Sequence, residues 1–377
     1  MKTLNKVALL VMLFAGMLQF RPAQAQAFKT RLYKPDHTFF YYQLNFHSGF
    51  DAREPGGGYG LSTRGPRTQV SFEWFVKDER RIQRGYTRLL TPNAWNVKFA
   101  LEMMPQSGGF RDMKVGFRLL DTWINVSTKW DRTSLRIGHK SLPYGHNPRI
   151  DGTMSFLPNQ AGLDLGFGRD TGLFFKTPLS ERLDLELAAT AGGFLSGTPF
   201  YVQWTGEGAQ FDTKLNYRGS WLGSVRVGTP TFKDNEYGLF AVAGTLHNFD
   251  RPMVRVARIG GEWVIKRKEM WKMVNQVAVG TNYLSAFGSW GVVNVLNSME
   301  MFYNRKFRLG MTHALHLEGD RGDGVRPFKG TVYGTVSYVL YRDARFRVNP
   351  YFEYNDNTGQ RDAGVLFQVC VGCGLRK

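Results

Sequence analysis

From residue 37 onward the chain repeats one pattern. Segments of about ten residues alternate apolar and polar positions, and the turns between them are alternately tight and long. The pair Gly330–Tyr341 and Phe346–Tyr354, joined by Arg342-Asp343-Ala344-Arg345, is the cleanest case. In its second member Phe346, Val348, Pro350, Phe352 and Tyr354 share one face; Arg345, Arg347, Asn349 and Glu353 share the other. A period of two puts successive side chains on opposite faces of a strand. With no helical segment between strands, the pattern predicts an all-β fold, a transmembrane antiparallel β-barrel.

The alternation predicts strands at 37–47, 67–77, 95–104, 121–130, 134–142, 169–177, 183–193, 219–228, 237–247, 253–266, 271–283, 294–304, 307–317, 329–341, 345–355 and 361–374. That is about sixteen, an even number, as bacterial barrels of this type have. With the first strand starting in the periplasm, tight turns follow even strands and long outer loops follow odd ones, and both termini lie in the periplasm. The turn at 78–94 is long for this rule and the loop at 248–252 is short. The segment Met113–Leu120 also alternates and is placed in the second outer loop as an extension of the rim.

The cost of charge in lipid assigns the faces. An Arg or Lys facing lipid at mid-bilayer costs roughly 2–4 kcal/mol, so strands turn their charges inward. Trp95, Val97, Phe99, Leu101 and Met103 then face lipid, and Asn96, Lys98 and Glu102 the lumen. Leu135 and Ile137 go out, Arg136 and Lys140 in; Leu183, Leu185 and Leu187 go out, Asp184 and Glu186 in. Phe307, Leu309, Met311 and Leu315 go out, and Arg308, Thr312 and His316 in. Strand 253–266 loses its phase between Arg255 and Arg258, which predicts a bulge near Gly260-Gly261. Trp95, Trp130, Trp221, Trp271, Tyr283, Tyr303 and Tyr341 lie near strand ends, where interfacial aromatic girdles sit.

Composition adds a leader and a sign of charge. Lys2 and Lys6 precede an apolar run from Val7 to Leu18, and Ala23-Gln24-Ala25 supplies small residues for cleavage, so 1–25 reads as a signal peptide and 26–377 as the mature barrel. Mean hydropathy is −0.32, low because only alternate strand residues face lipid. Net charge is +18, and losing Lys2, Lys6 and Arg21 with the leader leaves +15. In an exported barrel this balance points to small anionic solutes in the lumen and to outer-membrane lipid and lipopolysaccharide phosphates at the rims rather than to nucleic acid.

Catalysis, metals and cofactors find no support. His37, His47, His139, His146, His247, His313 and His316 are scattered and fit no catalytic motif. Cys370 and Cys373 lie three apart on one strand and point to opposite faces, which argues against a redox or metal role. Pro55-Gly56-Gly57-Gly58 lacks the Lys and following helix of a phosphate loop, and Gly319–Gly324 reads as a solvated turn.

Two stretches carry a resemblance. They are Leu135-Arg136-Ile137-Gly138-His139-Lys140-Ser141-Leu142-Pro143-Tyr144-Gly145 and Arg169-Asp170-Thr171-Gly172-Leu173. Over about residues 121–195 the chain resembles the phosphate-selective porin O/P family, with Arg136, Gly138, Lys140, Pro143, Gly145, Arg169, Asp170 and Gly172 as matching positions. The resemblance implies an outer-membrane diffusion channel, usually a homotrimer, in which a long loop folds inward and basic lumenal residues favour anions such as phosphate. The corresponding loop here is 144–168, with Arg149 its one guanidinium, whereas tightly selective members carry a dense basic array there. Where many barrels end on an aromatic residue, this chain ends Gly374-Leu375-Arg376-Lys377.

The candidate anion path comprises Lys98, Lys129, Arg136, Lys140, Arg226, Lys272, Arg308, Arg345 and Arg347, with Arg149 and Arg169 near the constriction. Glu73, Glu102, Asp184, Glu186, Glu300 and Glu353 share the interior, so any one base is expected as a paired wall residue more often than as an anion contact, while the basic excess of the set points to a weak anion preference. Two other functions fit the same fold: an accessory or plugged barrel within a larger envelope complex, and a substrate-specific channel, for example for oligosaccharide.

Overall fold

In the computed structural model the strands, in chain order, are β1 (Thr38–Asp51), β2 (Gly60–Leu61), β3 (Gln69–Asp78), β4 (Trp95–Ser107), β5 (Lys114–Leu119), β6 (Thr122–Ser127), β7 (Ser134–Ser141), β8 (Arg169–Pro178), β9 (Asp184–Thr190) and β10 (Phe200–Thr205). They continue as β11 (Gly208–Thr213), β12 (Trp221–Gly228), β13 (Glu236–Asn248), β14 (Arg251–Arg267), β15 (Trp271–Leu284), β16 (Gly288–Phe302), β17 (Phe307–Glu318), β18 (Phe328–Tyr341), β19 (Ala344–Asn355) and β20 (Gln360–Gly374). The structure describes these strands together with 133, 142–145, 179–183, 191, 220, 229–230, 235, 270, 285–286, 303–304, 306 and 319–320; no helix occurs among the described residues. The leader 1–25, most of the turn at 78–94 and loop residues 146–168 lie outside the described residues.

The segments read from the sequence correspond to β1, β3, β4, β6 to β9 and β12 to β20. Each pairs antiparallel with the next of that series. The first strand also pairs with the last, in register from Gln43↔Gly374 to Asp51↔Leu366. Two tight reversals lie at one end among the described residues. Leu183 O accepts from the backbone N–H of Leu179 and Ser180, and Asn304 Oδ1 accepts from the N–H of Lys306 and Phe307, an Asx turn that a short Asn side chain is suited to make. At the other end β13 and β14 are paired out to Asn248↔Arg251, so the short outer loop read at 248–252 is a tight hairpin.

The remaining strands build on the loop-bearing end. Lys98 of β4 faces Trp123 of β6, whereas Leu101 faces Leu119 of β5. The strands β6 and β5 thus pair with successive stretches of β4. The far edge of β5 pairs with β10, which forms a hairpin with β11. The alternating segment read at 113–120 thus contains a strand, and the β10–β11 hairpin extends the sheet from its far edge.

The two faces are inverted relative to a water-soluble sheet. Ile124, Ile137, Leu173, Leu239, Ile259, Met311 and Phe352 are exposed, while Asn125, Arg226, Gln276, Asn294, Thr335 and Arg347 are buried. Leu239 is 70% exposed and Arg226 0%, on neighbouring paired strands. Such an arrangement is unfavourable in water and favourable in a bilayer. Bulky aromatics mark both ends of the exposed face. Tyr237 lies across from Trp263, with Tyr303 and Tyr338 at the same turn end; Trp221 and Tyr283 stand at the loop end.

One expectation is corrected. No bulge occurs near Gly260-Gly261: β14 is in unbroken register with β13 from Val254 to Val264 and with β15 from Arg255 to Arg267. Arg258 points inward and is buried, whereas Arg255 points outward and is exposed. The phase is continuous; Arg255 simply breaks the rule that charges turn inward, at a height where the bilayer no longer enforces it.

Candidate functional site

The inner wall is built by the even-numbered positions of β7, β8, β12, β13 and β14, and alternation alone delivers its side chains. Two sections of it differ in chemistry.

Toward the turn end, Arg226 of β12 is fully buried between carboxylates. Its Nε donates to Glu262 Oε1 at 2.5 Å and its NH1 to Glu186 Oε1 at 3.1 Å. The guanidinium also reaches Thr229 O, which ties it to the turn below. Lys176 lies 3.0 Å from Asp184 and 3.4 Å from Glu186, so one acid serves both bases. Cross-strand register explains the assembly: Lys176 and Arg226 both face Glu186. Arg308 is likewise paired, 3.3 Å from Glu300 and stacked over Phe302. These bases fill the wall.

Across the wall, on β6 to β8, the partners include neutral and aromatic groups. Arg136 Nε donates to Asn125 Oδ1 at 3.2 Å and its guanidinium stacks 4.6 Å above Trp123; the Lys140 ammonium lies 5.3 Å from the Phe174 ring. The two stretches that carry the family resemblance meet here as paired strands: Gly138 faces Gly172, Lys140 faces Asp170, and Ser141 faces Arg169. Gly138 has φ +137°, and a Cβ there would lie 2.3 Å from Thr122 O, so glycine is required where Trp123 crosses close. Asp170 is buried and accepts from the Thr171 N–H.

Beyond β7 the chain turns into an apolar patch on the same inward face. Leu142 and Tyr144 are buried in one cluster with Phe174, Ala188, Leu222, Phe240, Val242, Val256 and Ala278. Tyr144 meets Phe240 edge-on with centroids 4.8 Å apart. Gly145, at φ +62°, lies so close to Gln276 and Phe240 that a Cβ would fall 2.4 Å from Gln276 Oε1. The first residues of the long loop thus pack against side chains of β13 and β15.

The sequence-derived candidates divide accordingly. Arg136, Lys140, Arg226, Arg308 and Arg347 lie on the inward face of β7, β12, β17 and β19, and Arg169 lies at the loop end of β8. Lys98 and Arg345 belong to β4 and β19, but their side chains lie outside the described set, as do Lys129 and Arg149 entirely. Of the residues that sequence reasoning passed over, Arg258 donates to Ala257 O, Thr281 O and Asn282 Oδ1, and Glu262 binds Arg226. Strict alternation through Gly260 and Gly261 would have found both. A polar chain also runs at the loop end: Trp290 Nε1 donates to Glu318 Oε2, whose other oxygen lies 2.8 Å from His316 Nε2, and His316 Nδ1 lies 2.8 Å from Asn294 Oδ1.

No family model matches this sequence, and no curated protein matches it either. Solved structures do match in fold. OmpT of Vibrio cholerae, in its trimer form, superposes with a TM-score of 0.59 over 89% of this chain and 98% of its own, at 9% identity. The outer membrane channel DcaP of Acinetobacter baumannii gives a TM-score of 0.58 over 90% and 97% at 9% identity. The anion-selective porin from Comamonas acidovorans gives 0.56 over 89% and 98% at 10% identity. The all-β antiparallel fold is thus that of outer-membrane β-barrel porins.

Proposed function

We propose that the chain is an outer-membrane porin, a water-filled diffusion channel for small solutes, with its strands closing as a sixteen-stranded barrel. The observation that carries this is the inversion of faces: guanidinium, carboxylate and amide groups line the inside, and Leu, Ile, Phe and Met the outside. The β1–β20 pairing supports closure. The tight turns face the periplasm on this reading, as do both termini.

Anion preference, phosphate included, is the finer part of the proposal. It rests on Arg136, Lys140 and Arg169, which are partly exposed, together with Lys98, Lys129, Arg149 and Arg345, rather than on Arg226 and Arg347, which are fully buried, or on Arg308, whose charge is met by Glu300. A base sealed from water against acids adds little field to a pore, while one that reaches the water acts on passing ions. We assign the loop 144–168 the role of constriction because its first residues are anchored inside. Homotrimer formation is part of the same reading, supported by the trimer form named for a fold relative.

The test is conductance of the purified protein in a planar bilayer. Steady open-channel current is expected, with a zero-current potential displaced toward anions under a KCl gradient. A silent bilayer overturns the channel, and a cation-ward potential overturns the anion preference alone. A plugged accessory barrel, which the tightly packed patch around Tyr144 and Phe240 favours, predicts silence.

A further inference from the structure

The outward face of β12 to β15 carries an arrangement that solute passage does not use. Read across the strands near the loop end, Trp221 faces Thr245, Thr245 faces Arg255, and Arg255 faces Tyr283. Trp221, Arg255 and Tyr283 are all exposed, and the Arg255 guanidinium lies 5.6 Å from the Tyr283 ring. A guanidinium, an indole and a phenol therefore form one shelf on the lipid side at the height of the aromatic belt.

Below the shelf the surface is hollow. The next outward row is Ala189, Gly223, Ala243, Ala257 and Thr281, and beneath it come Leu187, Val225, Ala241, Ile259 and Val279. Small residues flanked by bulky ones leave a groove of about 760 Å³, walled on its far side by Leu135, Leu173 and Phe175. The groove is apolar, and the shelf above it ends in the cation. The β13–β14 hairpin is tight, so it brings no long loop over this part of the rim.

We propose that this face binds a phosphorylated lipid of the outer leaflet, with its phosphate on Arg255 and an acyl chain in the groove below. Charge complementarity selects the occupant. An Arg on the lipid side is tolerated where headgroups lie and attracts anionic ones, with the guanidinium fork matching a phosphate. Trp221 and Tyr283 supply the amphipathic collar that the interface favours. The nearby Arg258, turned inward and bound to two carbonyls and an amide, offers no such contact.

Native mass spectrometry of the detergent-purified protein tests this, with bis-phosphorylated lipid A as probe and the phosphatase-treated lipid as comparison. Saturable retention of the phosphorylated form is expected, weakened about fivefold by Arg255→Gln. Filling the groove with Ala243→Phe, or with Ala257→Leu should the first variant not fold, is expected to weaken it similarly, and Lys306→Gln at the opposite end to leave it unchanged. Equal retention by wild type, Arg255→Gln and the groove variants overturns the proposal. So does competition by inorganic phosphate alone, which marks a bare anion contact, or a groove variant that alters oligomer mass while lipid retention persists, which marks the seat of a second copy. Bilayer conductance reads the channel separately, so failure of one leaves the other standing.

Discussion

Arg226 and Arg136 are the same residue type on the same inward face, yet they differ in role. Arg226 is sealed from solvent between Glu262 and Glu186. Arg136 is partly accessible and has an amide and an indole among its partners. The first is a cross-link between β9, β12 and β14; the second reaches water on the inward face. Counting bases on a wall therefore says little about ion preference until their partners are known.

The comparison breaks most sharply by removing each base. Arg226→Leu takes the buried guanidinium from Glu262 and leaves Glu186 with Lys176, and is expected to destabilise by about 3–5 kcal/mol. Exchanging Arg226 and Glu262 together for Met should restore much of that loss, because the desolvation of both charges is then avoided. Arg136→Gln should cost only about 1 kcal/mol, the worth of an amide bond and a stacked cation. Denaturant titration of the refolded barrel in lipid vesicles, followed by tryptophan fluorescence, ranks the three. A loss in Arg136→Gln as large as that in Arg226→Leu removes the distinction.

The distinction between faces can be tested one residue away. Ile259 is 62% exposed at the middle of β14, beside the buried Arg258. Ile259→Arg is expected to cost about 2–4 kcal/mol in the same vesicle titration, as a guanidinium at mid-bilayer does. An unaffected variant means that this face does not meet lipid.

That neighbouring pair also explains what the sequence made legible. Strand phase was readable wherever one face was wholly apolar, as in Phe346, Val348, Pro350 and Phe352 against Arg347 and Asn349. It failed at Arg255 because the cost of an outward charge falls away at the membrane interface, so a rule derived for mid-bilayer was applied to a rim position. It was weak on β13, where Phe240 and Val242 point inward to meet the loop and Leu239 points outward, leaving apolar residues on both sides. The ion network on β8 to β14 was hidden for another reason. Its members lie 40 positions apart for Arg226–Glu186 and 36 for Arg226–Glu262, and only the cross-strand register joins them. The β10–β11 hairpin was read as loop because its strands are short and carry no long alternation.

Selectivity provides the next contrast. Reversing Arg136 and Lys140 to Glu should move the zero-current potential under a KCl gradient strongly toward cations, because both side chains are partly exposed on the inward face close to the buried Leu142 and Tyr144. If the potential of the double variant stays at the wild-type value, these residues are not on the ion path and the anion reading loses its best-placed contacts.

Arg308 gives the smallest effect and the finest discrimination. Its pair with Glu300 is 3.3 Å long with both side chains about one-third exposed, a wall contact open to water rather than a sealed one. Such a pair is worth about 0.2–1 kcal/mol and weakens with salt. Arg308→Gln is therefore expected to lower stability by less than about 1 kcal/mol, to lose most of that effect when vesicles are measured in concentrated KCl, and to leave the zero-current potential near the wild-type value because Glu300 already offsets its charge locally. A large, salt-independent loss would place Arg308 with Arg226 as a structural cross-link. A large shift in potential would place it with Arg136 on the path. The small, screened response is the only one that keeps the wall divided as its partners divide it.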